Sequence, residues 1–212
     1  MNMPTPRIEF NKRELDEQDV GADPYALFKR WWEEAIMAKL NMPDAAVFST
    51  VTAQNCADAR VVFIKEFDEN GFVFYTNYQS AKGQEIAQNP CGHLVLFWSD
   101  FERQVRIQGK VVKTDRAQSE SYFKTRPRSS QVGAWVSRQS EVLSSRAELE
   151  SSFKEAQGSF KDIEVPCPPH WGGYCLKPRY FEFWQGRPSR LHDRFCFSLS
   201  DSQEWEIQRL YP

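Results

Sequence analysis

The sequence predicts an α+β protein built on a mostly antiparallel β-barrel with peripheral helices. Three observations predict it. Short apolar runs with strand-like alternation recur from residue 46 almost to the C-terminus, turn-forming residues separate them, and amphipathic helices fall at intervals between them. The chain has 212 residues and 41% hydrophobic content, enough for a substantial core. It carries no internal repeat, low-complexity tract or linker, so it reads as one domain over 23–212, preceded by a polar, mobile arm over 1–22.

Asp23 and Pro24 open the first helix as N-cap and first helical residue. Leu27, Phe28, Trp31, Ala35 and Ala38 recur at helical spacing, and the helix stops near Asn41 and Pro43. Strands follow at Ala46 to Thr52 and Arg60 to Glu66. Asp68 to Gly71 supplies hairpin chemistry before a strand at Phe72 to Asn77. Ser80 to Asn89 reads as a short helix stopped by Pro90. Further strands fit Leu94 to Trp98 and Gln104 to Val112. Asp115 caps a helix through Phe123 that Pro127 breaks, and another helix fits Ser145 to Gln157. The chain closes with strands at Tyr174 to Trp184, Arg194 to Leu199 and Trp205 to Leu210.

The net charge of −2 argues against a general nucleic-acid or membrane-surface binder. Local charge points elsewhere: Lys124 to Ser140 holds four basic residues and no acidic one, a pattern suited to a small anion. The five cysteines are scattered and never spaced as C-x-x-C, which fits a reducing cytoplasm better than disulfides or zinc. The N-terminus has no apolar signal region, and no apolar run is long enough to span a bilayer. Seven Trp and sixteen Phe exceed what such a core needs, leaving aromatic surface for a pocket or a subunit contact.

Several segments carry candidate chemistry. Arg60 to Lys65 is a nearly continuous apolar strand with a cation at each end, and such runs are ordinarily buried on both faces. Alternation puts Arg60, Val62 and Ile64 on one side and Val61, Phe63 and Lys65 on the other. Ser80, Lys82 and Gly83 open a helix whose N-terminus could take a phosphate, with Gly83 permitting close approach. Gln104 shares a strand face with Arg106, Gln108 and Lys110, and its amide could meet a heterocycle edge. Tyr122, Arg126, Ser130, Gln139 and Ser140 mix hydroxyls and amides with a guanidinium, the mixture a phosphate site wants. Between Glu182 and Arg194 the chain reads E-F-W-Q-G-R-P-S-R-L-H-D-R, where Trp184 could cover an aromatic ring. Cations beside His192 would hold its imidazole neutral. Each segment taken alone also fits ordinary structure: snorkelling strand ends, a capped surface helix, a solvated basic turn.

In order along the chain, R-V-V-F-I-K (60–65), F-Y-T-N-Y (74–78), R-P-R-S-S-Q-V-G-A-W-V-S-R-Q-S (126–140), P-P-H-W-G-G-Y (168–174) and the Glu182–Arg194 segment resemble the pyridoxamine 5′-phosphate oxidases. The resemblance implies an FMN-binding split β-barrel homodimer with the flavin at the subunit interface. It implies FMN contacts from Arg60, Val61, Val62, Phe63, Ile64, Lys65, Tyr75, Thr76, Lys82, Gln104, Gln139, Ser140, Trp184 and Arg194. Of these, Arg60, Lys82 and Ser140 suit the phosphate and ribityl end, and Gln104 and Trp184 the ring. It gives the substrate phosphate to Lys65, Tyr122, Arg126 and Ser130, with Arg190 and His192 as the catalytic pair at the pyridine. Arg7, in an arm segment that closes over substrate, joins the substrate set. Two positions depart from the family pattern. Ala81 replaces a frequent second basic residue, an expected loss of FMN affinity, and Phe10 replaces a usual tyrosine and loses a hydroxyl contact.

The implied reaction is oxidation of pyridoxamine 5′-phosphate and pyridoxine 5′-phosphate to pyridoxal 5′-phosphate. Hydride passes from C4′ to the flavin, and O2 re-oxidises the flavin to give H2O2. A related flavin oxidase acting on another aromatic substrate, such as a phenazine precursor, is the rival enzyme. A non-catalytic flavin- or pyridoxal-phosphate-binding module is the rival from another class. Neither a metal nor a nucleic acid is expected.

Overall fold

The computed structural model describes residues 9–212. In chain order its elements are α1 (Glu17–Val20), α2 (Pro24–Met37), β1 (Ala45–Val51), β2 (Ala57–Phe63), β3 (Glu66–Asp68), β4 (Gly71–Asn77) and α3 (Ala81–Gln88). Then come β5 (Cys91–Trp98), β6 (Arg103–Lys113), α4 (Arg116–Thr125), α5 (Arg128–Val136) and α6 (Arg146–Ser159). The chain ends with β7 (Trp171–Gln185), β8 (Asp193–Leu199) and β9 (Trp205–Arg209). The hydrogen-bonding order of the sheet is β2-β1-β5-β6-β7-β4-β3, with β8 pairing both β7 and β9. The α+β class expected from the alternation of strands and helices is what the chain forms.

The contacts of the chain divide it into two compact units, each gathered from separate stretches. No linker marks the division, because strands β1, β5, β6 and β7 each run from one unit into the other. Composition therefore gives no sign of it.

The first unit comprises 1–48, 93–109 and 178–212. Asp23 caps α2 by accepting the Tyr25 amide at 2.9 Å, and Pro24 occupies the first turn, where no amide donor is needed. The apolar stripe of α2 (Leu27, Phe28, Trp31, Ala35) is buried. Trp31 meets Phe183 edge-on at 5.3 Å, and Tyr25 meets Phe181 at 5.2 Å. Fully burying each such ring contributes about 2–3 kcal/mol. The segment expected as an arm is anchored from Leu15 onward. Leu15 and Val20 are buried, the Leu15 amide donates to Asp193, and Asp16 caps α1.

The second unit comprises 49–92 and 110–177. Its β4 pairs antiparallel with β7, from Phe72 opposite Leu176 to Asn77 opposite Trp171. Phe123, Val132, Ala134, Val165 and Trp171 form a buried cluster against which Tyr75, Tyr122 and Phe153 pack. Helix α5 was not expected, since Pro127 reads as a break. Pro127 does end α4, but it also stands as the N-cap of α5, where its fixed φ suits a helix start.

Two expectations in this unit need correction. The run Arg60 to Lys65 is not buried on both faces. Val62 and Ile64 are buried, but Val61 is 61% exposed and Phe63 43%. The strand also stops at Phe63, and the Lys65 amide turns to bond Val73 O of β4 at 2.8 Å. Gly83 is bare for a different reason than ligand approach. A Cβ there would lie 2.1 Å from the carbonyl oxygen of Tyr78, so the glycine lets α3 pack on its own preceding turn.

Candidate active site

A cavity of about 480 Å³ opens within the second unit. The outward residues of β2, Val61 and Phe63, form one side with Val62, and Lys65 follows them. Tyr75 and Thr76 reach it from the end of β4, and Lys82 from the first turn of α3. Tyr122 and Arg126 come from the C-terminal turn of α4, Ser130 from the first turn of α5, and Gln139 from the loop that follows. Eleven residues singled out in the sequence thus meet around one space, though they come from six separate segments. No carboxylate lines the cavity among the described residues.

Its polar groups fall into two sets. In the first, Gln139 Oε1 accepts from Thr76 Oγ1 at 3.0 Å and from Lys82 Nζ at 3.4 Å. Lys82 is only 8% exposed. Burial pushes its pKa down from the usual lysine value, and the nearby Arg60 charge adds to the effect. A buried lysine of this kind gains when an anion arrives. In the second set, Arg126 lies over the Trp171 ring at 4.5 Å and near Phe123 at 5.5 Å. Its Nη1 is buried without a hydrogen-bond partner, and burial lowers its pKa. An unpartnered buried guanidinium nitrogen is costly, and an anionic ligand supplies what it lacks.

Between the sets, Tyr75 and Tyr122 stack at 3.8 Å with planes 10° apart, and Trp171 lies parallel to Tyr75 at 5.6 Å. The Tyr75 hydroxyl donates to Glu66 at 2.8 Å, and Gln118 donates to the other oxygen of that carboxylate. Burial first, and Glu66 second, push the Tyr75 pKa up, so its hydroxyl stays protonated. Flat apolar and aromatic walls beside anion donors suit a planar phosphorylated molecule.

Three expected residues of this unit lie apart from the cavity. Arg60 is engaged by Thr50, Asp58 and Glu85, the last at 2.9 Å. Ile64 is buried in the core. Ser140, with a left-handed φ of 76°, lines a neighbouring cavity of about 260 Å³ together with Arg138 and Glu148. Conversely, Asn77, Ser137 and Trp171 line the main cavity and were not singled out. Asn77 Nδ2 donates to Ser137 O at 3.2 Å and ties that loop to β4. Trp171 sits inside the P-P-H-W-G-G-Y segment, and that segment was the one signal that could have found it.

The remaining expected residues belong to the first unit. Trp184 lies 4.6 Å from His192, and Phe10 meets both rings at 5.7 and 5.8 Å. His192 Nδ1 accepts the Arg187 amide at 3.0 Å, which places the proton of the neutral ring on Nε2. Its pKa is lowered, first by burial and only second by Arg190, so the cation expected to dominate takes the lesser part. Arg190 is exposed and, like Ser189 before it, adopts left-handed backbone angles. Arg194 forms a two-pronged pair with Glu182, both contacts at 3.1 Å, and its remaining nitrogen donates to Tyr211 O. Gln104 is half-buried on β6. Arg7 lies outside the described residues.

Comparison with known proteins places these observations. In fold the chain is a split β-barrel protein. The family model described as pyridoxamine 5′-phosphate oxidase matches residues 32–160, and a pyridoxine 5′-phosphate oxidase C-terminal dimerisation region matches 171–212. A pyridoxine/pyridoxamine 5′-phosphate oxidase of Actinobacillus pleuropneumoniae is 49% identical over 212 residues, covering 100% of both chains. One of Acaryochloris marina is 47% identical over 97% of this chain and 94% of its own. The chain therefore belongs to the pyridoxamine 5′-phosphate oxidase family, and it is an oxidoreductase.

Among solved structures, PhzG from Burkholderia lata, in complex with tetrahydrophenazine-1-carboxylic acid, superposes with a TM-score of 0.87 at 27% identity. It covers 93% of this chain and 98% of its own. A pyridoxamine 5′-phosphate oxidase-related, FMN-binding protein from Nostoc punctiforme shares the fold with a TM-score of 0.67 at 17% identity, over 85% of this chain and 97% of its own. FMN is the cofactor of the family. The donors of the second unit fit it, with a desolvated lysine, a hydroxyl and an amide converging beside aromatic walls. Among the described residues no helix is long and apolar enough to cross a membrane.

Proposed function

We propose that the protein oxidises pyridoxamine 5′-phosphate and pyridoxine 5′-phosphate to pyridoxal 5′-phosphate, with FMN as cofactor and O2 as terminal acceptor, releasing H2O2 and, from the amine substrate by hydrolysis of the imine with water, ammonia. The observation that carries this reading is the unpartnered Nη1 of Arg126, beside Lys65, Tyr122 and Ser130 on one cavity. That is a cradle for a phosphomonoester. Bound FMN supplies the two-electron acceptor for the hydrogen lost from C4′.

The side chains supply binding and proton handling. Arg126 and Lys65 neutralise the substrate phosphate, and Ser130 and Tyr122 donate hydroxyls to it. Thr76, Lys82 and Gln139 serve the cofactor's polar end, and Trp184 and Gln104 its ring. Arg190 presents its guanidinium to the pyridine beside His192. His192, neutral, holds a proton at Nε2, and undiminished turnover of His192→Ala at every pH removes that role. The match to a dimerisation region supports a homodimer as the working unit, and five free cysteines suit the cytoplasm.

Turnover of pyridoxine 5′-phosphate against free pyridoxine tests the reading. Preference for the phosphorylated form by two orders of magnitude or more in kcat/KM is expected on the order of one lost charge-assisted contact set. Equal turnover sinks it. The likeness to PhzG favours one rival, oxidation of a phenazine precursor whose carboxylate would take the place of the phosphate. Faster oxidation of such a carboxylate substrate than of either B6 phosphate decides for the rival. Yellow protein that yields no peroxide with any of them marks a binding module.

A further inference from the structure

We propose that Trp171 is a positioning residue for the substrate's phosphate: its indole face carries the Arg126 guanidinium and leaves Nη1 to the anion. The inference rests on the phosphate-binding reading of this cavity, and it concerns a residue that the reading itself does not use.

An arginine is ordinarily aimed by a carboxylate. Among the described residues the Arg126 side chain makes no hydrogen bond and no ion pair, and what it does meet is ring faces. The nearer face is that of Trp171, at 4.5 Å, within the range of a cation–π contact. Tryptophan is the strongest ring for that role, and the contact is made where water is largely excluded.

The indole is itself held. It is 6% exposed, meets Phe123 edge-on at 5.1 Å and lies parallel to Tyr75 at 5.6 Å. Its backbone is fixed as well: the amide donates to Pro168 O at 3.1 Å, and its carbonyl accepts from Arg116 Nη1 at 3.1 Å. Gln131 completes the support from the other side. It is buried, and its Nε2 donates to the Arg126 carbonyl at 3.1 Å, so the backbone that bears the guanidinium cannot drift. A rigid platform that takes no donor from Arg126 leaves its guanidinium without a hydrogen-bond partner among the described residues.

The test compares Trp171→Phe and Trp171→Leu in the FMN-loaded enzyme. Leu should raise KM for pyridoxine 5′-phosphate about tenfold with little change in kcat, and Phe, which keeps a ring face, should restore most of the loss. In an Arg126→Met background the Leu substitution should add almost nothing, because the interaction it removes is already gone. An equal effect of Leu in both backgrounds would mean a merely structural role and would overturn the proposal, as would a Phe variant no better than Leu.

Calorimetric titration with inorganic phosphate separates this from the wider reading. If the parent enzyme fails to turn over any B6 phosphate, the functional reading falls. The Trp171 inference is then decided by whether Leu weakens phosphate binding about tenfold or leaves it unchanged. Should the Leu variant not fold by near-ultraviolet circular dichroism, the Phe variant and the Arg126→Met background carry the comparison.

Discussion

Two arginines, one in each compact unit, meet their surroundings in opposite ways. Arg194 grips Glu182, a carboxylate only 2% exposed that also takes hydrogen bonds from Arg106 and Tyr180. The Glu182 contact pushes the Arg194 pKa up. Arg126 has ring faces where Arg194 has a carboxylate, and burial pushes its pKa down. The first arrangement is complete in itself: its donors are matched and the pair gives a rigid strand end. The second is incomplete until an anion arrives. Internal pairing builds structure, and withheld pairing builds a site.

The comparison can be broken at either arginine. The largest effect is expected from Arg126→Met, which should raise KM for the phosphorylated substrate about a hundredfold, a loss of roughly 3 kcal/mol in binding, while leaving thermal stability nearly unchanged. A large fall in Tm with unaltered KM would show Arg126 to be structural. Glu182→Ala should do the reverse. It strands Arg106 and Arg194 beside a cavity and should cost about 3 kcal/mol of folding stability, read as a lower denaturant midpoint. Unchanged stability would mean that the Glu182 cluster is not the anchor its burial suggests.

The smallest effect sharpens the contrast by using a cation that can lose its charge. Lys82 has a lowered pKa, so its charged form is disfavoured until an anion binds. The sign follows: above the lowered pKa the free protein holds Lys82 neutral, and binding must take up a proton. FMN affinity of the apoprotein should fall as pH rises toward 10.5, by at most about tenfold per unit. Lys82→Met should bind FMN more weakly and without that slope, and an unaltered slope would exclude Lys82 from the anion site.

Much of this was legible in the sequence, and for identifiable reasons. Capping residues such as Asp23, Ser80, Asp115 and Ser145 announce their helices because each side chain satisfies amides in the turn it opens. Helix α5 stayed hidden because proline is compatible with both an end and a beginning. Cation and hydroxyl residues of the cavity were found as types, since a phosphate narrows the chemistry. Their division into engaged and available was not legible. Nothing in the spacing of Arg60, Asp58 and Glu85 says that they meet, and nothing about Trp171 says that Arg126 will rest on it. Burial of Val62 against exposure of Val61 depends likewise on what faces each side of the strand.

Pro127 has a mechanical consequence. Arg126 closes one helix and Ser130 lies in the first turn of the next, so two donors of the cavity ride on separate rods. The joint between the rods is a single pyrrolidine ring, which holds φ at −52°. The ring removes one of the rotations that set the span between guanidinium and hydroxyl, so part of the grip on an anion is set before any arrives.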